Sequence, residues 1–311
     1  MPSMMPPQFS MTADGDRQNK DGHFTNKKEN FEGPLAAKGE GDSNAFSEND
    51  VTQGNLEDCW FLASVAAIAK TNPDLLERNI KDLGEGKYEV TLYQRDPKTP
   101  NGPLNPQVIT VNNAFQIGKH SGTAIAAKPG DNEEIWVMLI EKAYAKMNGG
   151  YQVLKNRGYS EVALEALTGK PHSETTISGK KGTEKQAQKR FDRQMRSFDR
   201  KNPGATDRDR EKFGPKMEGL FGLSEWEIIP KLAQLLNDGC AVTLGTDEIR
   251  NQYVIEDGFK ILGPHVYALV SVNEDAQTAC LYDPNGKFPL ENLPVKYLRK
   301  YFTSIDYVKA E

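Results

Sequence analysis

The sequence contains few cysteines, no long apolar run and no excess of positive charge. Its three cysteines are an odd number without paired spacing, which argues against a disulfide framework and against a structural zinc cluster. The longest apolar run, residues 59–69, is much too short to span a bilayer. With 39 basic and 44 acidic residues, the chain has a net charge of −5 and is not expected to bind nucleic acid. A single functional thiol remains compatible with this composition.

The start of the chain lacks the basic stretch and apolar segment that mark a standard secretory signal. We therefore expect a cytoplasmic protein, or one delivered by a non-classical secretion route. The 311 residues are enough for one large domain or two modest ones with a buried core. We expect a monomer without a membrane span.

Composition divides the chain into four parts. Residues 1–45 are rich in Met, Pro, Gly, Asp, Asn and Lys without a hydrophobic period, so we predict an arm that is disordered or loosely attached. Residues 46–177 are predicted to be largely helical and residues 217–311 to be rich in strands. Between them, residues 178–216 carry 13 basic and 6 acidic side chains, a local charge of +7. This insertion is either a solvated helical segment or a basic patch that recruits an acidic partner.

Hydrophobic patterning predicts an α+β protein with two lobes. The segment 59–70 is apolar nearly all round, which is typical of a central helix packed on several sides. Further helices are predicted at residues 135–147, 161–167 and 224–237. Strands are predicted at residues 83–93, 107–117, 241–246, 252–256, 265–272, 278–283 and 301–308.

Cys59 is the strongest candidate for a reactive side chain. It opens the first predicted helix, where a residue such as Asp58 would cap the backbone and unpaired N–H groups face outward. The partial positive charge at this end of the helix favours a thiolate. The alternative is that Cys59 is a small apolar residue inside the helix, as we expect Cys240 and Cys280 to be in their strands.

A nucleophilic thiol needs a base and a donor for the oxyanion. Gln53, six residues upstream, could fold back over the start of the helix and donate to an oxyanion. Of the four histidines, His265 opens a predicted strand that is rigid enough to aim an imidazole. Antiparallel pairing with the next strand would bring Asp283 beside that imidazole. A structural histidine, and a simple turn at residues 283–286, are the alternatives.

Three segments resemble the calpain family of cysteine proteases. Residues 50–63, DVTQGNLEDCWFLA, are similar to the active-site motif D-x-x-Q-G-x-L-G-D-C-W-F-L-A. Residues 134–151 are similar to the segment E-F-W-x-x-L-L-E-K-A-Y-A-K-x-N-G-x-Y, and residues 263–268 look like G-H-A-Y with one residue inserted before the His. The resemblance covers about residues 46–311 apart from the basic insertion, and its first two blocks are long and specific.

The resemblance implies a papain-like fold, with a helical lobe that carries the nucleophile, a β-rich lobe, and a cleft between them. It makes Cys59 the nucleophile, His265 its base and Gln53 the oxyanion donor. Where the family has N-P-W-G, this chain has Asp283 in place of the Asn and Asn285 in place of the Trp. An Asp can still orient the imidazole, because its oxygen accepts from a ring N–H as an amide oxygen does.

The resemblance also implies a possible calcium site, although the chemistry itself requires no cofactor. One calcium site of the family uses carboxylates that align with Asp50 and Glu134, whereas residues 287–291 offer no convincing match to the second site. The alternative is that both are merely solvated surface carboxylates. Another departure from the motif is Glu57, which replaces a Gly and brings a bulky charge near the oxyanion turn.

We therefore expect a cysteine endopeptidase that makes limited cuts in protein substrates. A second hypothesis keeps the site but changes the reaction, to acyl transfer onto amines or to hydrolysis of cell-wall or isopeptide amides. A third is an inactive calpain-like domain that only binds. The presence of Gln53, Cys59 and His265 argues against the third hypothesis.

Overall fold

Helices and antiparallel strands are interleaved along the chain in a computed structural model of the protein. The structure describes residues 27–99, 101–117, 126–130, 132–155, 158–177, 222–249 and 252–310, together with residues 196, 200 and 206. The helices of these residues are α1 (Cys59–Thr71), α2 (Pro73–Asn79), α3 (Trp136–Met147), α4 (Tyr151–Lys155), α5 (Ser160–Thr168), α6 (Glu225–Asn237) and α7 (Val295–Tyr301). A 3-10 turn spans Glu48–Asp50.

The strands form one large sheet and three smaller ones. They are β1 (Lys27–Asn30), β2 (Ile80–Gly84), β3 (Lys87–Arg95), β4 (Leu104–Asn112), β5 (Ala114–Ile117), β6 (Ser173–Thr176), β7 (Cys240–Thr246), β8 (Tyr253–Glu256), β9 (Phe259–Leu262), β10 (His265–Asn273), β11 (Thr278–Tyr282), β12 (Leu290–Pro294) and β13 (Phe302–Lys309). The large sheet has the order β12-β11-β10-β7-β13-β6, and β2-β3-β4, β1-β5 and β8-β9 form the others. Their pairings are antiparallel, so the architecture is α+β.

Helix α1 is buried because its sequence is apolar on every side. Residues 60–69 are all buried, and the helix packs against α5 and against strands β7 and β10 of the large sheet. The polar exception, Ser64, donates its hydroxyl to the Trp60 carbonyl at 2.9 Å and is thereby satisfied. The prediction of a central helix is confirmed. Its first residue, Cys59, is left partly exposed.

Two clusters of buried apolar side chains stabilise the fold. The first includes α1, α3, α5 and the sheet β2-β3-β4, and the second includes α6, α7 and most of the large sheet. Along β10, Ala268 belongs to the first cluster, whereas Tyr267 and Leu269 belong to the second. Because successive side chains of a strand point to opposite faces, the large sheet is covered by α1 on one face and by α6 on the other.

Residues 27–45, the last part of the predicted arm, contact the rest of the fold. Strand β1 pairs with β5, and Phe31 and Leu35 pack against the first cluster. These contacts come from single apolar side chains and from backbone hydrogen bonds, so they leave no hydrophobic period in the sequence. Residues 1–26 lie outside the described part of the chain.

The predicted boundary between the helical and sheet-rich parts also shifts. Strand β6 pairs with β13 at the edge of the large sheet, and Ile177 belongs to the second cluster. Residues 173–177 therefore belong with the sheet and not with the helical part predicted for residues 46–177. The basic insertion, residues 178–216, lies outside the described residues except at positions 196, 200 and 206.

The strand predicted at residues 83–93 begins inside a turn. Gly84, Glu85 and Gly86 have φ values of 80°, 53° and 67°, a left-handed backbone that separates β2 from β3. Two glycines and a polar residue allow this conformation. The alternating β-branched and aromatic residues of the segment 83–93 predicted one continuous strand and gave no indication of the turn. Among the helices of the described residues, all are too short or too polar to cross a membrane.

Candidate active site

Cys59 is the first residue of α1. The helix begins there because the Asp58 carbonyl accepts from the backbone N–H groups of Phe61 and Leu62 at 2.9 and 3.1 Å. Asp58 occupies the N-cap position, as predicted, but its side chain makes no hydrogen bond to the first turn. Its carboxyl group is buried and lies against Glu141 instead. Cys59 still lies at the helix end whose partial positive charge favours a thiolate.

His265 and Asp283 form a buried hydrogen-bonded pair. Strand β10 begins at His265, β11 ends at Tyr282, and their antiparallel pairing places Ala268 opposite Tyr282. The start of one strand therefore lies beside the end of the other, as predicted. The distance between His265 Nε2 and Asp283 Oδ1 is 2.8 Å, and the two residues are only 7% and 1% exposed. With Nε2 facing the carboxylate, the ring keeps Nδ1 for another partner.

The Cys59 thiol also lies against this imidazole. Burial lowers the pKa of His265, but hydrogen bonds with Asp283 and Cys59 outweigh this effect and raise the pKa to about 9. The imidazole is therefore held between a carboxylate and a thiol at a helix N-terminus. This arrangement favours a thiolate–imidazolium pair, which is the reactive form of a cysteine nucleophile.

Asp283, and not Asn285, contacts the imidazole. Asp283 Oδ1 also accepts from the backbone N–H of Asn285 at 3.0 Å, and the Asp283 carbonyl accepts from the N–H of Gly286 at 2.8 Å. The simple turn that we weighed as an alternative is thus present together with the imidazole contact. One carboxylate holds both the turn and the ring.

The remaining histidines and cysteines lie elsewhere or outside the described residues. His172 pairs with Glu165, with 2.9 Å between Nδ1 and Oε1. Cys240 and Cys280 lie in strands β7 and β11, as predicted. His23 and His120 are not among the described residues. Of the histidines that are, His265 is the one that the structure brings to a thiol.

Gln53 lies beside the turn that leads to Cys59. Its side chain is buried, its backbone N–H donates to the Pro284 carbonyl at 2.7 Å, and its side-chain Nε2 donates to the Leu56 carbonyl. The amide also lies beside the Asp58 carboxyl group. The amide is therefore turned toward the protein interior. Glu57, the residue that departs from the motif, is exposed.

Asp50 and Glu134 are fully buried, which excludes the alternative of two solvated surface carboxylates. Asp50 Oδ2 accepts from the Ser47 N–H at 2.9 Å and from Trp136 Nε1 at 3.0 Å, and Glu134 Oε2 accepts from the Asn132 N–H at 2.9 Å. Burial, reinforced by the adjacent Glu134, raises the pKa of Asp50 to about 8. The two carboxyl groups lie side by side, and neither is exposed to water that could stabilise its charge.

The chemistry of these two carboxyl groups fits a hard cation. Asp50 Oδ1 and Glu134 Oε1 are buried and have no hydrogen-bond partner among the described residues. Carboxylate oxygens are the ligands that Ca²⁺ prefers. A second group of carboxylates, at the partly exposed end of α5, comprises Glu161, Glu174 and Asp306. There Asp306 accepts from the Ser160 hydroxyl at 2.7 Å, so it already has a partner.

Sequence reasoning missed Glu141, which is fully buried on α3. Its Oε2 accepts from the Ala127 N–H at 2.8 Å, and it lies against Asp58. The sequence feature that could have identified it is a Glu in the middle of a predicted helix whose residues 136–145 are otherwise almost entirely apolar. An acidic residue inside such a run needs a specific partner.

Comparison with known families agrees with this geometry. The model of the calpain family cysteine protease matches residues 39–206, which is more than half of the chain. The matched region contains Cys59 but ends before His265 and Asp283. The contact between the two halves of the site is therefore an observation of the structure and not of the family match.

Individual relatives match a shorter region. Calpain clp-4 of Caenorhabditis elegans is 37% identical over 129 residues, which is 40% of this chain and 16% of that protein. Human calpain-9 is 31% identical over 128 residues, 40% of this chain and 17% of that protein. The calpain-type cysteine protease DEK1 of Zea mays is 31% identical over 130 residues, which is 41% of this chain and 6% of that protein. Each match covers less than a fifth of the relative's length.

Replacing Asp283 should weaken the thiolate–imidazolium pair. Without its acceptor the imidazolium is less stable, so the pKa of His265 falls and the thiolate loses its partner. We expect Asp283→Ala to slow the alkylation of Cys59 by iodoacetamide at pH 7 by about tenfold or more, since one pKa unit is a tenfold change in protonation. Asn285→Ala is the matched control and should change the rate little. The opposite ranking would assign the orienting role to Asn285.

Calcium should stabilise the folded protein through Asp50 and Glu134. At a concentration about a hundred times the dissociation constant, a bound ion raises the unfolding free energy by about 2.7 kcal/mol, which is a rise of several degrees in melting temperature. Differential scanning fluorimetry of chelator-treated protein with added Ca²⁺ measures this shift. Glu134→Gln should remove the shift, and Glu161→Gln, in the other carboxylate group, should retain it. An unchanged melting temperature in wild type would remove the calcium site.

Proposed function

The chain belongs to the calpain family of cysteine proteases, and we propose that it is a cysteine endopeptidase that makes limited cuts in protein substrates. The main support is the position of the partly exposed Cys59 thiol beside the buried His265–Asp283 pair. A thiol at a helix N-terminus, with an imidazole held by a carboxylate, is suited to nucleophilic attack on acyl groups.

The proposed reaction proceeds in two halves. The Cys59 thiolate attacks the carbonyl carbon of a peptide bond, and the His265 imidazolium gives its proton to the leaving amine. The resulting thioester is then attacked by water, from which His265 removes a proton, and the Cys59 thiolate is released. Asp283 holds the ring through Nε2 in both halves and stabilises its positive charge.

The oxyanion of each half needs N–H donors. The first N–H groups of a helix have no partner within the helix, so the backbone of Cys59 supplies one donor. We assign the second donor to Gln53, because its side chain lies beside the same turn. Its amide carries two hydrogens, and a rotation away from the Asp58 side would present one of them to the substrate.

We further propose that the two apolar clusters are the two lobes of a papain-like fold. Cys59 begins a helix of the first cluster, and His265 begins a strand whose Tyr267 and Leu269 belong to the second. A cleft between the lobes would then place an extended substrate between the nucleophile and its base. Protein substrates fit this arrangement, because an extended chain can contact both lobes.

Calcium is proposed as a regulator of this site and not as a participant in the chemistry. Asp50 and Glu134 would hold it, and the ion would neutralise their two buried charges. Asp50 lies nine residues before Cys59, and Glu134 lies just before α3. Joining the two carboxylates therefore ties the segment that leads to the nucleophile to the start of α3.

Proteolysis should depend on one thiol. Cys59→Ala and His265→Ala should each lower the rate of casein cleavage by about 10³-fold or more, because the nucleophile and its base act as a unit. Cys280→Ser, at the other partly exposed thiol, is the matched control and should cleave at the wild-type rate. Wild-type cleavage by Cys59→Ala would contradict the proposal. Transfer of acyl groups to added amines, with no net cleavage of casein, would favour the transferase alternative.

A further inference from the structure

A second pair of buried carboxyl groups lies directly behind the nucleophile. Asp58 immediately precedes Cys59, and its carboxyl group lies against that of Glu141 on α3. Both side chains are fully buried. Among the described residues, neither carboxylate oxygen of Asp58 nor Glu141 Oε1 has a hydrogen bond of normal geometry, although the Gln53 amide and the Asp58 backbone N–H lie close to the Asp58 carboxyl group. Burying three oxygens without a well-placed donor lowers the free energy of unfolding considerably, unless a proton or a cation interacts with them.

Among the described residues, the charges that act on the two carboxyl groups include no positive one. The Gln53 amide approaches Asp58 from the turn, the Ala127 N–H donates to Glu141 Oε2, and Tyr151 on α4 is the titratable group that faces both. Burial and the two carboxyl groups raise the pKa of Tyr151, so its hydroxyl stays neutral. Two adjacent carboxylates in such surroundings do not both ionise.

We propose that Asp58 and Glu141 share one proton at neutral pH and that this pair positions the segment carrying Gln53 and Cys59 for reaction. A carboxylic acid has the O–H donor that these oxygens lack, so one shared proton joins Glu141 Oε1 to one Asp58 oxygen. The other Asp58 oxygen is left to the nearby Gln53 amide. Only the effect on catalysis rests on the proposed function. The shared proton is a property of the folded protein and does not depend on its activity.

Burial raises the pKa of both carboxyl groups, which disfavours a second negative charge in the pair. The negative charge on Asp58 lies at the N-terminus of α1, where the helix dipole stabilises it. The pair therefore carries one negative charge. A second charge behind Cys59 would oppose both the thiolate and the oxyanion.

The pair also ties α3 to both ends of the segment 52–59. At one end, Asp58 lies between Glu141 and the Gln53 amide and is followed by Cys59. At the other end, Glu141 holds the Ala127 N–H, and the neighbouring Lys128 N–H donates to the Thr52 carbonyl at 2.8 Å.

The same segment reaches the base of the proposed reaction. The Gln53 backbone N–H donates to the Pro284 carbonyl, and Pro284 directly follows Asp283, the partner of His265. Glu141 is thus connected, through the segment 52–59, to both the nucleophile and the base. It touches neither the substrate nor the reacting atoms, so it acts by positioning.

The experiment compares two substitutions of Glu141. Glu141→Gln keeps an acceptor for the Ala127 N–H and offers a fixed N–H donor to Asp58, with the charge of the pair unchanged. Glu141→Leu is similar in size but offers neither. The infrared difference spectrum of wild type minus Glu141→Gln at pH 7.5 should show the C=O band of a protonated carboxyl group. Asp50, whose pKa is also raised by burial, is common to both proteins and cancels in the difference.

Glu165→Gln is the matched control for the infrared measurement. Glu165 is a helical Glu on α5 whose carboxylate pairs with Arg95, with 2.5 Å between Oε1 and Nη2. That pairing keeps Glu165 ionised, so its substitution should leave the protonated-carboxyl band intact. Absence of the band from the difference spectrum of wild type minus Glu141→Gln would overturn the shared proton.

Steady-state kinetics of the Glu141 variants test the positioning role. We expect Glu141→Leu to lower kcat of casein cleavage by about 10²-fold, because a misplaced oxyanion donor or nucleophile has an effect of about that size on the rate. KM should change less than about threefold. Glu141→Gln should recover most of the lost kcat. Circular dichroism below the melting temperature shows that both variants are folded. A folded Glu141→Leu with the wild-type kcat would overturn the role. The infrared band requires no substrate, so failure of the proposed protease activity in wild type would be recognised separately.

Discussion

The burial of helix α1 is the constraint on which the site depends. Ten consecutive residues, 60–69, are buried between α5 and the large sheet, and each large side chain among them contributes about 1.5–3 kcal/mol to folding. Such a helix cannot rotate or slide without exposing apolar surface. The residue at its end is therefore fixed in space, and that residue is Cys59. The sheet that covers α1 contains β10, so the same packing also fixes His265 at the start of that strand.

Three buried acidic centres surround the nucleophile, and each has a different compensating partner. Asp283 has the charged imidazole of His265. In the proposals made above, Asp50 with Glu134 has a calcium ion, and Asp58 with Glu141 has a shared proton. The common physical cause is that a carboxylate in an apolar interior must be paired or protonated. A site assembled in this way couples its geometry to the state of each partner.

Local patterns predicted much of this structure because the relevant forces are local. The apolar segment of α1 and the alternation along β10 and β11 specify elements whose pairing brings His265 to Asp283. The packing of residues 27–45 was not predictable, because isolated side chains such as Phe31 leave no period. The inward turn of Asp58 was missed for a similar reason: a residue suited to cap a helix also has a buried carboxyl partner, Glu141, 83 positions away.

The central claim is that the Cys59 thiol, activated by His265, carries out the chemistry of this protein. The most direct measurement treats the folded protein with an epoxide that alkylates activated thiols and maps the modified residue by mass spectrometry. The account predicts labelling at Cys59 alone, with casein cleavage lost in proportion to the labelled fraction. Labelling spread equally over Cys280, or cleavage that persists when Cys59 is fully alkylated, would contradict it.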